Sequence, residues 1–391
     1  MGIGKPVFSV VITSYNLSDY IGECLESILR QSFRDLEVIC VDDCSTDGTF
    51  DILTQYQATD ERVRVIRCDR NQGVSIARNI GIDASQGEYL LFLDGDDYHA
   101  DGSLRFLYDT IKENDLDLLL FDYEVTHSSG NPNLIDLHPK PRVKSIDQIM
   151  SGADLLTLQV SEKEYRPCVY LQLVKAKVLK EAGIRFFPGI IHEDELYTPL
   201  IMEKARRAMC VADKMYMRRV RSGSIMTTDI SHKNVDGYFV VSTELLAHYL
   251  SGGCQNEGIA MRAKSMRGAS RDRYRLLSDE EKAKSGKDLP EIYRFFFERN
   301  DFKFDDQKKR NNALEQRVAE LEAVNSNQQE EIQKLIEKCN EYAETNTKYQ
   351  QKIKGLEGVY SDLVHSCAFR IGRTITFIPR KLRDFFKSIR K

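Results

Sequence analysis

Over its first 125 residues the chain alternates short apolar runs with segments of helical periodicity, and this alternation constrains the fold more than any other feature. Val7 to Ile12 reads as a buried strand, followed by a helix over 17–30 with Ile21, Leu25, Ile28 and Leu29 at helical spacing and Ser18 or Asp19 as its cap. Strands at 36–41, 63–66, 89–93 and 116–121 follow, with helices at 49–56 and 74–84 in between. Strands alternating with helices predict an α/β domain, a mostly parallel sheet with flanking helices. In such sheets ligands bind at the carboxyl ends of the strands.

Those ends carry an unusual set of polar residues. The first strand runs into Thr13, Ser14, Tyr15 and Asn16; the second into Asp42 and Asp43, then Ser45, Thr46, Asp47 and Gly48; the fourth into Asp94, Gly95, Asp96 and Asp97. Carboxylates at the end of an apolar strand are costly unless something pairs with them. Acids at i and i+2 on a tight glycine-containing turn can converge on one hard divalent cation, which prefers oxygen ligands and would neutralise a diphosphate. Asp47-Gly48 reads as a turn into the next helix. Asp42 and Asp97 are open to the alternative that they are solvated loop charges.

The run FSVVITSYNLSDYIGECLESILRQSFRDLEVICVDDCSTDGT, with NQGVSIARNIGIDASQGEYLLFLDGDD, resembles the nucleotide-sugar-binding half of bacterial family 2 glycosyltransferases of the GT-A (Rossmann-like) fold. The resemblance is specific over 7–125 and looser to about 228, through IHEDELYTPLI and YMRRVRSGSIMT. It implies that Thr13, Tyr15 and Asn16 line a nucleotide cleft, that Asp43 hydrogen-bonds the uracil, and that Arg78 faces the donor site. It implies Asp94 near the ribose and sugar, and Asp96 as the ligand of Mn²⁺ or Mg²⁺ on the diphosphate of a UDP-sugar. In similar enzymes an acidic pair supplies the general base; here that is Asp194, with Glu193 in reserve. Arg219 and Arg221, with Ser222 and Ser224, would supply cations and donors to the leaving diphosphate, a task suited to the planar guanidinium fork. Bland alternatives stand beside these. Glu193-Asp194-Glu195 could be an exposed charge run, Arg218, Arg219 and Arg221 a solvated basic face, and His192 a surface or hydrogen-bonding group rather than a metal ligand. Similar enzymes often carry a Trp and a Lys before the acidic pair, whereas this chain has no Trp and places Tyr170 and Gln172 there.

The remaining chain divides further. Residues 1–125 form the expected nucleotide-sugar half, 126–230 the acceptor half and 231–303 a helical region. From Leu314 to Leu363 apolar and small polar residues step by alternating three and four, a coiled-coil seam that would reach roughly 75 Å within an expected coiled-coil region over 304–363. Asn325 and Asn346 share one heptad position, which favours a homodimer; the alternative is a single charged helix packed on its own domain. Residues 364–391 carry eight Lys/Arg against the single Asp384, leaving 1–363 at about −11 of the overall −4. With Leu382, Phe385, Phe386 and Ile389 on one face, this tail reads as an amphipathic segment for an anionic membrane surface, the alternative being a partner-binding end. Nucleic acid is not the expected partner. The nine cysteines show no CxxC pair or zinc spacing. With no N-terminal apolar signal segment and no eighteen-residue apolar run, the expectation is a cytoplasmic protein at the inner face of the membrane.

The sequence therefore leads to an inverting, metal-assisted glycosyltransferase moving a hexose or N-acetylhexosamine from a UDP-sugar to a lipid-linked or cell-surface glycan. The rival from another class is a non-catalytic sugar-nucleotide-binding scaffold that assembles a glycan-synthesis complex through its coiled coil.

Overall fold

A computed structural model describes residues 5–127, 140–220, 230–251, 256–289, 293, 294 and 297. In chain order the elements are β1 (Phe8–Ser14), α1 (Ile21–Leu29), β2 (Leu36–Asp42), α2 (Thr49–Thr59), β3 (Val63–Arg67), α3 (Val74–Ala84), β4 (Tyr89–Asp94), β5 (Tyr98–His99) and α4 (Ser103–Glu113). Then come β6 (Leu118–His127), α5 (Gly152–Ser161), a 3-10 turn at Val169–Leu171, β7 (Gln172–Lys175), α6 (Ala176–Ala182), α7 (Asp194–Lys204) and β8 (Ala208–Val220). Three further helices are α8 (His232–Leu250), α9 (Glu257–Leu276) and α10 (Asp279–Lys284).

The strands form one sheet in the order β3-β2-β1-β4-β7-β6-β8-β5. It is mixed rather than mostly parallel: β1 pairs in parallel with β2 and β4, β2 with β3, and β6 with β8, while β7 runs antiparallel between β4 and β6 and β5 antiparallel to β8. An antiparallel neighbour needs no long crossover, so the four residues of β7 suffice to join the two parallel groups. The five expected strands are all present, and the fifth extends to His127.

Every residue of β1 is buried, as a central strand covered on both faces requires. Phe8, Val10 and Ile12 pack into a core shared with Ile21, Cys24, Leu25, Ile28 and Leu29 of α1, one stripe of that helix. Each fully buried aliphatic side chain contributes about 1.5–3 kcal/mol. The expected cap at Ser18 or Asp19 is absent, because the carbonyl of Leu17 accepts from Tyr20 and Ile21 instead. Ser18 donates its backbone N–H across to Asp47.

Register sets the site. Thr13 lies opposite Val41 on one side and Asp94 on the other, and Ser14 lies opposite Asp42, so the polar residues of three strands finish at one edge. Helix α7, which Asp194 opens, is positioned by α5. Ser151 caps α5 by accepting from Asp154 N, and Gly152 N donates to the carbonyl of Ala205 just past α7.

The described residues up to Leu245, with Asn256–Ser270, form one compact unit. In the second unit α10 is capped by Ser278, whose hydroxyl accepts from Glu281 N. The expected coiled coil and basic tail lie outside the described residues. Among the described residues no helix is long and apolar enough to cross a membrane.

A Cβ built on Gly152 would stand 2.0 Å from the carbonyl oxygen of Met202 in α7. Ala is the better helix former by about 1 kcal/mol, but this clash is with backbone and cannot be relieved by a rotamer change. Gly152→Ala is therefore expected to lower stability by about 1–3 kcal/mol net, read as a reduced urea midpoint at unchanged m.

Candidate active site

The loops after β1 and β2 are stitched to each other before any ligand is considered. Asn16, at φ 54, receives the Thr46 N–H on Oδ1 at 2.8 Å and donates its own N–H to Ser45 Oγ at 2.9 Å. Asn tolerates this left-handed conformation better than most residues. Asp42 is fully buried and accepts from Ser45 N at 3.1 Å, with Arg67 Nε 3.6 Å away, so it is a buried loop support and not a solvated charge. Asp43 accepts from the backbone of Gln72 and Gly73 at 2.8 and 2.7 Å, fixing the entry to α3. Asp47 accepts from the N–H and hydroxyl of Thr49 and from Ser18 N. Burial alone would raise the Asp47 carboxyl, but these hydrogen bonds outweigh it and hold it below its ordinary value. Asp47 thus turns the chain into α2, as the sequence suggests.

After β4 the chain makes a tight turn in which Asp97 N donates to the Asp94 carbonyl. Gly95 N donates to the carbonyl of Thr13, and a Cβ there would sit 2.9 Å from that same oxygen, so only glycine lets the turn lie this close to β1. Asp97 is buried, accepting from the Tyr216 hydroxyl at 2.6 Å and from Arg219 N at 2.7 Å; it too is no solvated loop charge. Burial, then the neighbouring Asp96 and Asp94, raise its carboxyl well above the ordinary range. Asp94 and Asp96 keep partial access to solvent.

Arg78 joins this turn to the second half of the chain. Buried on α3, it donates through Nη2 to Asp94 at 2.9 Å and through Nη1 to Glu193 at 2.6 Å. Burial alone would lower this guanidinium, but Asp94 and Glu193 hold it above its ordinary value. Glu195 pairs with Arg262, whose guanidinium lies over the Tyr165 ring. The triplet Glu193-Asp194-Glu195 is accordingly a structured, partly buried group rather than an exposed run. Asp194, the first residue of α7, accepts from Glu195 N at 2.9 Å. Burial and then the charges of Glu193 and Glu195 raise its carboxyl well above the usual range, against the pull of Arg78.

Comparison with known proteins gives the family and the fold. The family model described as Glycosyl transferase family 2 matches residues 9–159. An uncharacterized glycosyltransferase of Haemophilus influenzae is 33% identical over 193 residues, which cover 49% of this chain and 70% of that protein. The poly(ribitol-phosphate) beta-glucosyltransferase of Bacillus spizizenii is 36% identical over 217 residues, 54% of this chain but only 32% of the relative's length. The crystal structure of S. aureus TarS 1-349 in complex with UDP-GlcNAc superposes with a TM-score of 0.51 at 23% identity, covering 71% of this chain and 84% of that one. The chain belongs to glycosyl transferase family 2. It is a glycosyltransferase of the GT-A fold, with a mixed α/β sheet and flanking helices.

For this family 2 enzyme the described residues contain no group of three or more His, Cys, Asp or Glu side chains that could cage a metal. A hard divalent cation of the Mg²⁺ type needs no such cage, because one or two carboxylates hold it while substrate phosphates complete the shell. Asp96 and Asp94, partly exposed at i and i+2, are the carboxylates available for such a site. His192 stacks on Tyr238 with ring centroids 3.8 Å apart and has its Nε2 3.3 Å from Asn234 Nδ2, so it serves packing rather than a metal.

The structure brings Thr13, Asn16 and Asp43 to one edge with Asp94 and Asp96, and Tyr15 stands half-exposed beside them. Arg219 reaches the same turn: its Nε donates to the Asp96 carbonyl at 2.9 Å, Nη2 pairs with Glu23 at 2.6 Å, and its guanidinium lies over Tyr20 and Tyr98. It is therefore not part of a solvated basic face. Arg221 lies outside the described residues. Tyr170 and Gln172 also have definite places. Tyr170 stacks on Tyr216 at 4.3 Å, and Gln172 donates to Thr198 Oγ1 at 2.7 Å. Tyr216 and Glu23 were not legible as site residues. One sits in a strand pattern and the other on a helix, and only the three-dimensional turn at 94–97 reveals their use.

Replacing Arg78 by Met leaves Glu193 buried without its cation and Asp94 half-satisfied. The expected loss is about 3 kcal/mol, the lower end for breaking a buried pair, because Asp94 retains solvent. Arg78→Lys, able to reach one carboxylate at a time, is expected to fall between the two in denaturant titration.

Proposed function

We propose that the enzyme transfers a hexose or N-acetylhexosamine from a UDP-sugar to a hydroxyl of a lipid-linked or cell-surface glycan, with inversion at the anomeric carbon. The observation that carries this reading is the Arg78 bridge, which brings Asp94 from the donor half against Glu193 and its neighbour Asp194 from the acceptor half. The relative named a poly(ribitol-phosphate) beta-glucosyltransferase, and the TarS complex with UDP-GlcNAc, support a nucleotide-sugar donor and a cell-surface acceptor. This chain spans only part of the first, so the substrates remain part of the proposal.

In the proposed displacement the acceptor oxygen forms its bond to the anomeric carbon as the bond to the diphosphate oxygen breaks. Asp194 takes the acceptor proton; a carboxylate raised above its ordinary value is a stronger base for that task than an ordinary one. Glu193, held by Arg78, fixes the start of α7. Thr13, Tyr15, Asn16 and Asp43 border the nucleotide, and Arg219, with Arg221, lies toward the diphosphate. Asp96 would hold Mn²⁺ or Mg²⁺, which supplies charge neutralisation for the leaving diphosphate. Residues 304–363 as a dimerising coiled coil, and 364–391 as a contact with the cytoplasmic membrane face, complete the reading on sequence pattern alone.

Calorimetric titration of UDP with Mn²⁺ tests the donor site. Binding is expected with the metal, and its loss is expected in EDTA and in Asp96→Ala. Absence of UDP binding under every condition would overturn the reading and favour the scaffold. A second test separates chemistry from folding. A raised carboxyl adds stability below its unfolded pKa, and that contribution is lost as pH rises through the folded value. Asp194→Asn, which carries no charge to desolvate, should therefore be no less stable at neutral pH, while kcat falls about 10²–10⁴-fold. Wild-type kcat should rise with pH through the raised Asp194 value, and thermal melts read alongside donor turnover check both outcomes.

A further inference from the structure

The acceptor half holds more cationic charge than its carboxylates consume. On the parallel pair β6 and β8, Tyr123 lies opposite Tyr216 and Val125 opposite Arg218. Alternation then puts Tyr123, Tyr216 and Arg218 on one face. The Arg218 guanidinium lies 5.7 Å from the Tyr123 ring centre and beside Tyr170 and Cys168, and among the described residues no carboxylate forms an ion pair with it. Next to Tyr123, the buried Asp122 is shared by two guanidiniums, Arg142 at 3.3 Å and Arg166. Burial, followed by the like charge of Arg142, pushes the Arg166 guanidinium below its ordinary value, against the pull of Asp122.

This cluster adjoins the proposed base. The segment carrying Arg166, Pro167 and Cys168 is tied to α7 where Thr198 Oγ1 donates to the Pro167 carbonyl at 2.5 Å. Thr198 is one helical turn beyond Asp194 and on the same side of the helix. Cys168 is close enough to feel both the Asp194 carboxylate and the Arg218 guanidinium. Arg218 is held by a hydrogen bond and a cation–π contact to Tyr123, which leave guanidinium N–H groups that an anion with several oxygens would engage through charge-assisted, fork-like hydrogen bonds.

We propose that Arg218, flanked by the Arg142–Asp122–Arg166 cluster, binds a phosphate group of the acceptor beside Asp194. The proposal rests on the reading of Asp194 as the acceptor-side base. The phosphate could belong to a polyol-phosphate chain or to the link between a glycan and its lipid carrier, and both present the same oxygens.

The test is calorimetric titration of the full-length chain, with and without UDP, using glycerophosphoglycerol, farnesyl phosphate below its micelle concentration, uncharged diglycerol and methyl glucuronide. A phosphate probe is expected to bind at least about tenfold more tightly than diglycerol. That preference should be lost in Arg218→Gln and partly kept in Arg218→Lys, while UDP affinity stays at the wild-type level in both and so reports an intact fold. Preference for glycerophosphoglycerol identifies a polymer phosphate and preference for farnesyl phosphate a carrier phosphate; either supports the site. Unchanged phosphate binding in Arg218→Gln, equal binding of diglycerol, or tighter binding of the glucuronide would overturn it. Failure of wild-type UDP binding would count against the donor reading alone, since the phosphate titrations without UDP still read the subsite.

Discussion

Arg78 is buried, and its charge is sustained there because Asp94 and Glu193 each accept from it at hydrogen-bonding distance. Removing a guanidinium from water costs several kcal/mol, which two charge-assisted hydrogen bonds repay only when their geometry is good. The bridge is therefore a poor source of net stability and a strong determinant of position. The turn after β4 and the start of α7 lie far apart in sequence, and both must sit where this one fork can reach them. Phe186 lies beneath the guanidinium at 5.2 Å and stacks on Tyr197 of α7 at 4.0 Å, so the apolar packing points the same way as the ion pairs.

The cations of the site divide into two kinds. Arg78 and Arg219 are committed to carboxylates around the turn after β4, and Arg219 also holds the backbone of the 94–97 turn. Arg218, one residue away on the opposite face of β8, has aromatic neighbours instead. Strand alternation thus sends two adjacent arginines to different surroundings: Arg219 braces the 94–97 turn, and Arg218 lies against Tyr123 on the other face.

Much of the first part of the sheet was legible in the sequence, for a physical reason. A parallel strand buried on both faces is apolar from end to end, so β1, β2 and β4 announce themselves, and the first polar residue after each marks the ligand edge. The register of Thr13 against Asp94 then follows from the fold. What stayed hidden was short or depended on tertiary contact. The strands β5 and β7 have two and four residues, too few to show a period, and the antiparallel insertion of β7 made the sheet mixed. Burial of Asp42 and Asp97 was illegible because an aspartate next to a turn has the same sequence signature whether its hydrogen-bond donors are water or, as here, Ser45 N and the Tyr216 hydroxyl. The cap of α1 failed for a related reason: a backbone carbonyl, which every residue possesses, took the role expected of a side chain.

The contact of Gly152 with the far end of α7 has a consequence for how inherited change would act on this enzyme. Asp194 opens the same rigid helix whose last turn rests on that glycine. A displacement of about 1 Å in a reacting group can cost on the order of a hundredfold in rate. On the proposed role of Asp194 as the base, loss of activity can thus originate at the α5–α7 junction, with every polar residue at the strand ends unchanged. A search for inactivating variants confined to the strand ends would overlook it.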